Sequence, residues 1–283
     1  MSNSTWAREA AYRLSNGVRA RAAAIAVSRA SQKSETARFP DGQLVVSLTS
    51  YPPRFATLDL TLRSLLLQTV QPDHVVLWIA NQDMDALPKE VRRLESWNLE
   101  IKATADLRSY KKIIPALAAF PSAYIVTADD DVYYPPNWLS TLVDAVDPIN
   151  PHIACHRGHM PAFELSGAMS PYAKWRWNVS CAEGSQILFP TGVGGVMYPP
   201  NSLAREVMDE ETFLSLCPSA DDVWLYFMGR LADARYRTTA EPFRILNWPR
   251  SQKESLHSKN VVDNANDVQI RAMERRFGVL PSR

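Results

Sequence analysis

Ala123-Tyr124-Ile125-Val126-Thr127-Ala128-Asp129-Asp130-Asp131-Val132-Tyr133-Tyr134-Pro135-Pro136-Asn137-Trp138-Leu139 is the stretch on which the fold turns. Its first six residues are a short apolar run, which predicts a buried strand. Three carboxylates follow without a spacer, and two prolines stiffen the chain before an apolar segment resumes. Adjacent aspartates repel one another, a cost that is tolerated where a divalent cation neutralises them. Alternate side chains of an extended segment share a face, so Asp129 and Asp131 point the same way. Oxygen-only ligands suit Mg²⁺ or Mn²⁺, which keep positions open for phosphate oxygens and water. In an arbitrary loop the triplet would read as a solvated acidic turn; directly after a buried strand it reads as a cation site.

The preceding segments give that strand its place. Leu44-Val45-Val46-Ser47-Leu48-Thr49 predicts a first strand, ended by the rigid loop Ser50-Tyr51-Pro52-Pro53-Arg54. Leu58, Leu62, Leu65 and Leu66 recur at helical spacing, and Pro72 stops the helix. Val75 to Ile79 is the second strand, Pro88 to Trp97 a helix, and Leu99 to Ala103 the third strand. Ile113 to Phe120 gives a short helix before the fourth strand at Ala123 to Ala128. Such alternation predicts an α/β fold, a mostly parallel sheet flanked by helices on both faces. Ligands of such sheets bind beyond the carboxyl ends of the strands, where the three aspartates fall.

Two later blocks carry chemistry. Thr191-Gly192-Val193-Gly194-Gly195-Val196-Met197-Tyr198 has three glycines in four residues, so its backbone can approach a ligand closely or simply bend tightly into an apolar strand. It lacks the lysine and the spacing of a phosphate loop or a dinucleotide fingerprint. Cys217-Pro218-Ser219-Ala220-Asp221-Asp222-Val223-Trp224-Leu225 leads into an apolar helix. Ser219 or Asp221 is suited to cap that helix, and either aspartate is suited to accept a proton as general base. Tyr172, Trp175 and Trp177 offer faces for stacking on sugars or for packing into a core.

The stretch Thr127 to Leu139 resembles the DXD region of GT-A glycosyltransferases, in which a strand delivers Asp-X-Asp to a metal and a diphosphate before a P-x-W-L helix start. Val45 to Tyr51 resembles the first strand of that fold, and the likeness extends over roughly residues 43–270, closest to bacterial enzymes that build cell-surface polysaccharides. The resemblance implies a Rossmann-like GT-A fold and the transfer of a sugar, with inversion, from a nucleotide-diphosphate sugar such as a UDP-sugar to a glycan or glycolipid hydroxyl. It implies Mn²⁺ or Mg²⁺ held by Asp129 and Asp131, with His257 as a third ligand, and Asp130 on the donor side. Thr49, Ser50, Tyr51 and Arg54 would border the nucleotide, and Lys111 and Lys112, with Arg108 nearby, would meet its phosphates. Gly194 and Gly195 would lie beside the donor sugar. Asp222, ahead of Asp221, would be the general base, and His156, Arg157, Trp175 and Trp177 would face the acceptor. The implied organisation is a basic helix and linker over residues 1–42 and a transferase domain over 43–283, with a nucleotide half at about 43–140 and an acceptor half at about 141–270.

Competing classes leave different marks. An aspartyl phosphatase also uses Asp-X-Asp after a strand, but at the first strand and with Thr or Val where Tyr133 stands here. A sugar nucleotidyltransferase would carry a Gly-rich, basic loop after its first strand in place of Ser50 to Arg54. A non-catalytic sugar-binding protein on the same fold would have no need of Asp129, Asp131 and Asp222 together.

Bulk properties agree with a globular enzyme: of 283 residues, 46% are hydrophobic and 22% charged, and 20 prolines against 10 glycines indicate rigid turns. The net charge of +1 hides an asymmetry. Residues 1–40 hold seven Lys or Arg against two Glu, which leaves the remainder at −4. An acidic body argues against a nucleic-acid partner. Cys155, Cys181 and Cys217 are odd in number and widely spaced, with neither a metal-ligand spacing nor a disulfide framework. With no apolar run of spanning length and no secretory segment, the expectation is a cytoplasmic protein, and the Asn178-Val179-Ser180 sequon is coincidental. Residues 5–30, rich in Ala and Arg, predict a helix that is either a solvated leader or a peripheral element lying on the inner, anionic membrane face. Residues 31–42 read as its linker.

Overall fold

The computed structural model describes residues 3–31, 37–39, 42–147, 149–241, 243–249, 251 and 265–280. Seven strands form the central sheet: β1 (Leu44–Thr49), β2 (His74–Ala80), β3 (Leu99–Thr104), β4 (Tyr124–Ala128), β5 (Ile153–Cys155), β6 (Val196–Tyr198) and β7 (Tyr236–Thr238). Their spatial order is β7-β5-β6-β4-β1-β2-β3. All neighbours run parallel except β6, which is antiparallel to both β4 and β5. The chain is therefore an α/β protein with a mostly parallel sheet. Its helices are α1 (Asn3–Arg29), α2 (Leu58–Leu66), α3 (Lys89–Arg92), α4 (Ile114–Ala119), α5 (Trp138–Val143), α6 (Glu210–Leu216), α7 (Asp221–Leu231) and α8 (Ala265–Phe277).

The apolar run of β1 is explained by burial on both faces, as a central parallel strand requires. Alternate residues divide between two layers: Leu44, Val46 and Leu48 pack with Leu58, Leu62 and Leu65 of α2, while Val45 joins Val76, Ile125 and Ala116 of α4. A further cluster, built on α7 around Trp224 and Phe227, supports the sheet's other half. Together these layers hold the carboxyl ends of β1 and β4 side by side, Ser47 pairing with Thr127 and Leu48 with Ala128.

Three segments depart from the sequence reading. Residues 88–97 are one turn of α3 followed by a 3₁₀ segment, Arg93–Trp97, closed by Asn98 at φ 70°. Val91 and Leu94, three apart and both buried, favour the tighter winding, in which such residues eclipse. Within the expected linker, Ala37–Arg38 pairs with Val70–Gln71, and Phe39 packs edge-on against Tyr124 at 4.9 Å. Helix α1 is docked, not free: it lies against α2, buries Ala20 and Val27, and Asn16 Oδ1 accepts bonds from Arg244 Nε and Nη2 at 3.0 and 2.6 Å. Among the described residues no helix is long and apolar enough to cross a membrane.

Candidate functional site

The acidic segment leaves β4 and is fixed through its backbone, which frees its carboxylates. The Asp129 N–H donates to Tyr134 Oη at 2.7 Å, and Thr61 Oγ1 of α2 donates to the Asp130 carbonyl at 2.8 Å. The Trp248 N–H donates to the Asp131 carbonyl at 3.0 Å, and Trp248 Nε1 donates to Thr61 Oγ1 at 2.7 Å. The side chains then meet three partners. Arg54, from the loop after β1, pairs with Asp131 and lies 3.6 Å from Asp130. Ser50 Oγ donates to Asp130 Oδ2 at 2.6 Å. Lys112 Nζ lies 3.2 Å from Asp129 Oδ1.

Lys112 joins this cluster to a second one. Its carbonyl accepts a bond from Ser47 Oγ of β1 at 2.6 Å, and its buried ammonium stands 3.0 Å from Asp221 Oδ2 at the start of α7. Burial works against the charge on Lys112, but Asp129, Asp221 and Asp222 outweigh it and hold its proton affinity above the ordinary lysine value. Asp222 Oδ1 accepts the Gly192 N–H at 3.0 Å. A Cβ on Gly192 would come within 2.7 Å of that oxygen and 3.2 Å of Lys112 Nζ, so a larger residue would push the two side chains from these positions. Burial first, and then the Asp221 charge, push the Asp222 carboxyl up to about 7 against the pull of Lys112 and the Gly192 N–H.

Neither Ser219 nor Asp221 caps α7. The cap position is Ala220, with no side-chain bond, and the backbone N–H groups of Ser219 and Ala220 are taken by Gln269 Oε1 of α8 at 3.1 and 3.0 Å. Both aspartates stand in the first turn, where the helix dipole favours a carboxylate.

Both clusters face one cavity of about 1080 Å³ at the carboxyl edge of the sheet. Thr49, Ser50, Tyr51, Arg54, Lys111, Lys112, Asp129, Asp130, Asp131, Asp221, Asp222, Arg157 and Trp177 all line it. Four expected residues do not. Gly194 and Gly195, at φ 100° and 105°, turn the chain against Trp138, where a Cβ on Gly195 would clash at 2.6 Å. His156 is buried behind the wall beside Trp138, Phe243 and Thr239, and burial pulls its proton affinity down to about 4. Trp175 is in the core, donating to the Ser170 carbonyl at 2.8 Å and packing on Tyr172 and Phe189. His257 lies outside the described residues. The cavity also takes in Thr191, Gly192 and Tyr172, from segments the sequence had singled out, and Asp106 and Asn247, which it had not.

Comparison with known proteins adds little to this geometry. No family model matches the chain, and no curated protein does. A solved structure of CMP:2-keto-3-deoxy-manno-octonic acid synthetase complexed with CTP aligns over 82% of this chain and 97% of that one, at 12% identity and a TM-score of 0.39. So distant a likeness assigns neither substrate nor residue roles to this chain.

The donor set suits a hard divalent cation in one respect and limits it in another. Seven aspartates but only five lysines and arginines line the cavity, so negative charge is in excess. The excess is sharpest at Asp130, whose carboxyl is pushed up to about 7 by burial and then by Asp131, despite Ser50 and Arg54. Among the described residues, however, no three His, Cys, Asp or Glu side chains converge as a cage. The chain thus offers one or two carboxylates, as Mg²⁺ sites completed by substrate phosphates do.

A consequence can be measured without substrate. Because Asp130 keeps its proton to about pH 7 when folded and to about 3.8 when unfolded, its burial costs stability increasingly as pH rises between those values, and fully above them. In metal-free buffer, Asp130→Asn is expected to stabilise the protein by about 1–3 kcal/mol at pH 8 and by less at pH 5. Thermal melts at the two pH values check this; equal gains at both, or no gain, would sink it.

Proposed function

We propose that the chain is a glycosyltransferase that moves a sugar from a nucleoside diphosphate sugar to a hydroxyl group of a glycan or glycolipid. One observation carries this reading: an acidic pair at the head of α7 opens onto the same cavity as the aspartates after β4, and Lys112 bridges the two through Asp129 and Asp221. A donor whose diphosphate lies at Asp129 to Asp131 then has its anomeric carbon toward Asp222, within the same cavity.

Each residue has a task in such a transfer. Asp129 and Asp131 would hold Mg²⁺ or Mn²⁺, which supplies positive charge for the departing diphosphate when bound. Arg54 swings from carboxylate to phosphate oxygens at small cost, since a guanidinium suits both equally. Lys112 keeps the donor end positive, while Asp222 accepts the proton of the acceptor hydroxyl as that oxygen attacks. Asp222 suits the role better than Asp221, which is tied up by Lys112. A base acts best with a proton affinity near the working pH, and that of Asp222 is raised to about 7.

Binding is the direct test. UDP, or another nucleoside diphosphate, is expected to raise the melting temperature of the wild type only with Mn²⁺ or Mg²⁺ present, and to have no effect on Asp131→Ala. Sugar nucleotides then separate the chemistries: transfer releases nucleoside diphosphate, whereas a sugar nucleotidyltransferase releases pyrophosphate from a nucleoside triphosphate. No nucleotide shift under any condition would remove both enzyme readings.

Attachment to an anionic bilayer through α1 is a separate part of the proposal. Val18 and Ile25 are 58% and 54% exposed on a helix that also carries exposed Arg19, Arg21 and Arg29. The full chain is expected to float with vesicles containing phosphatidylglycerol and to sink once residues 3–31 are deleted; flotation unchanged by the deletion refutes it.

A further inference from the structure

The cavity's basic side chains are not equivalent. Arg54, Lys111 and Lys112 each face an aspartate, and Arg108 is exposed to solvent. Arg157 is half-buried, and among the described residues no carboxylate lies within ion-pair distance of it. Its Nε donates to Asn178 Oδ1 at 2.6 Å, which fixes the guanidinium plane. Its two Nη groups have no hydrogen-bond partner among the described residues. Burial works against its charge, and an anion entering the cavity that Arg157 lines can take both terminal donors at once.

Arg157 is also next to the chemistry. Its carbonyl accepts the Thr191 N–H at 3.0 Å, and the following residue, Gly192, holds Asp222. The wall beside it is aromatic: Trp177, 38% exposed, is flanked by His159 at 5.1 Å and 21° and by Tyr172 at 5.4 Å and 64°. Burial, and then the Arg157 charge, pull His159 down to about 4, so the imidazole is neutral and adds no second cation at this end. Flat apolar rings next to a fixed two-pronged cation form a receptor for a sugar ring that carries a negative group.

We propose that the acceptor is an anionic sugar, a uronic acid or a phosphorylated residue, whose carboxylate or phosphate binds the free edge of Arg157 while its ring lies on Trp177 and its hydroxyl reaches Asp222. This names the acceptor class of the transferase reading and rests on it for the role of Asp222. Arg157 is then a specificity-determining residue.

The test uses the full chain with UDP and Mg²⁺ and three probes: methyl β-glucoside, methyl β-glucuronide and glucose 6-phosphate, titrated by ligand-observed NMR. At least one anionic probe is expected to bind about tenfold tighter than the glucoside, and which one it is distinguishes carboxylate from phosphate. Arg157→Gln is expected to bring all three within about twofold of one another, and Trp177→Ala to weaken all three alike. Equal binding of the three by the wild type, binding of none, or an anion preference that survives Arg157→Gln overturns the inference. If Arg157→Gln does not fold, Arg157→Lys replaces it. This variant keeps the charge but loses the two-pronged contact, so it is expected to lose most of the preference, and full retention overturns the inference. Nucleoside diphosphate release from sugar nucleotides, measured on the same wild-type preparation, separates the two proposals. An Arg157-dependent anion preference without any release leaves the anion site standing and defeats the transferase reading.

Discussion

Asp222→Asn is expected to lower the turnover of sugar transfer by about 10²- to 10⁴-fold, the range that a positioned proton acceptor contributes. The amide oxygen of Asn can still accept the Gly192 N–H, so the fold and the metal-dependent nucleotide shift are expected to remain. Loss of rate with retention of binding is the signature of a group that acts only in the transition state. The wild type supplies a second check. As the proton leaves Asp222 near pH 7, the base appears, so the rate should rise with pH through that region and flatten above it. Asp221→Asn should cost less rate, because Asp221 serves Lys112 and not the acceptor. A turnover unchanged in Asp222→Asn removes the assignment of this residue as base.

Lys112→Met is expected to cost about 3–5 kcal/mol of stability, since deleting one partner of a buried ion pair leaves the others uncompensated. For a chain of this size that corresponds to a fall in melting temperature of roughly 10 °C. The methionine fills the same space, so packing is a minor part of the loss. The charge account can be separated from the packing account by adding Asp221→Asn: the double variant should recover much of the loss, because the two residues are 3.0 Å apart and their effects are not additive. A shift of less than about 2 °C in the single variant would show that the bridge between the two acidic clusters contributes little.

The first half of the fold was legible for a physical reason. Strands β1, β2 and β4 are buried on both faces, and all four of β1 to β4 are at least five residues long, so they read as strands between turn residues. Strands β5, β6 and β7 have three residues each, too few to display any period, and the antiparallel insertion of β6 between β4 and β5 leaves no local mark. At the site, Asp129 to Asp131 were legible from their position after a strand. The distinction between His156 and Arg157 was not, because the chain bends directly after β5 and nothing local says which of the two side chains faces the cavity. The tight surroundings of Gly192 were hidden for another reason: they come from Asp222 and Lys112, 30 and 80 residues away in the chain, and not from its own neighbours. Trp175 and Trp177 sit in an irregular segment with no periodicity to separate core from surface.

Strand β6 also sets a timetable for biosynthesis. Strands β1 to β4 are able to pair once residue 128 has left the ribosome, but the neighbour that covers the outer side of β4 ends at residue 198. At ordinary translation speeds that flank of the growing sheet stays bare for about 4–14 s. A row of unsatisfied backbone donors and acceptors is a template for mispairing with other nascent chains. The interval between those two strands is therefore a period in which the flank of β4 is open to mispairing.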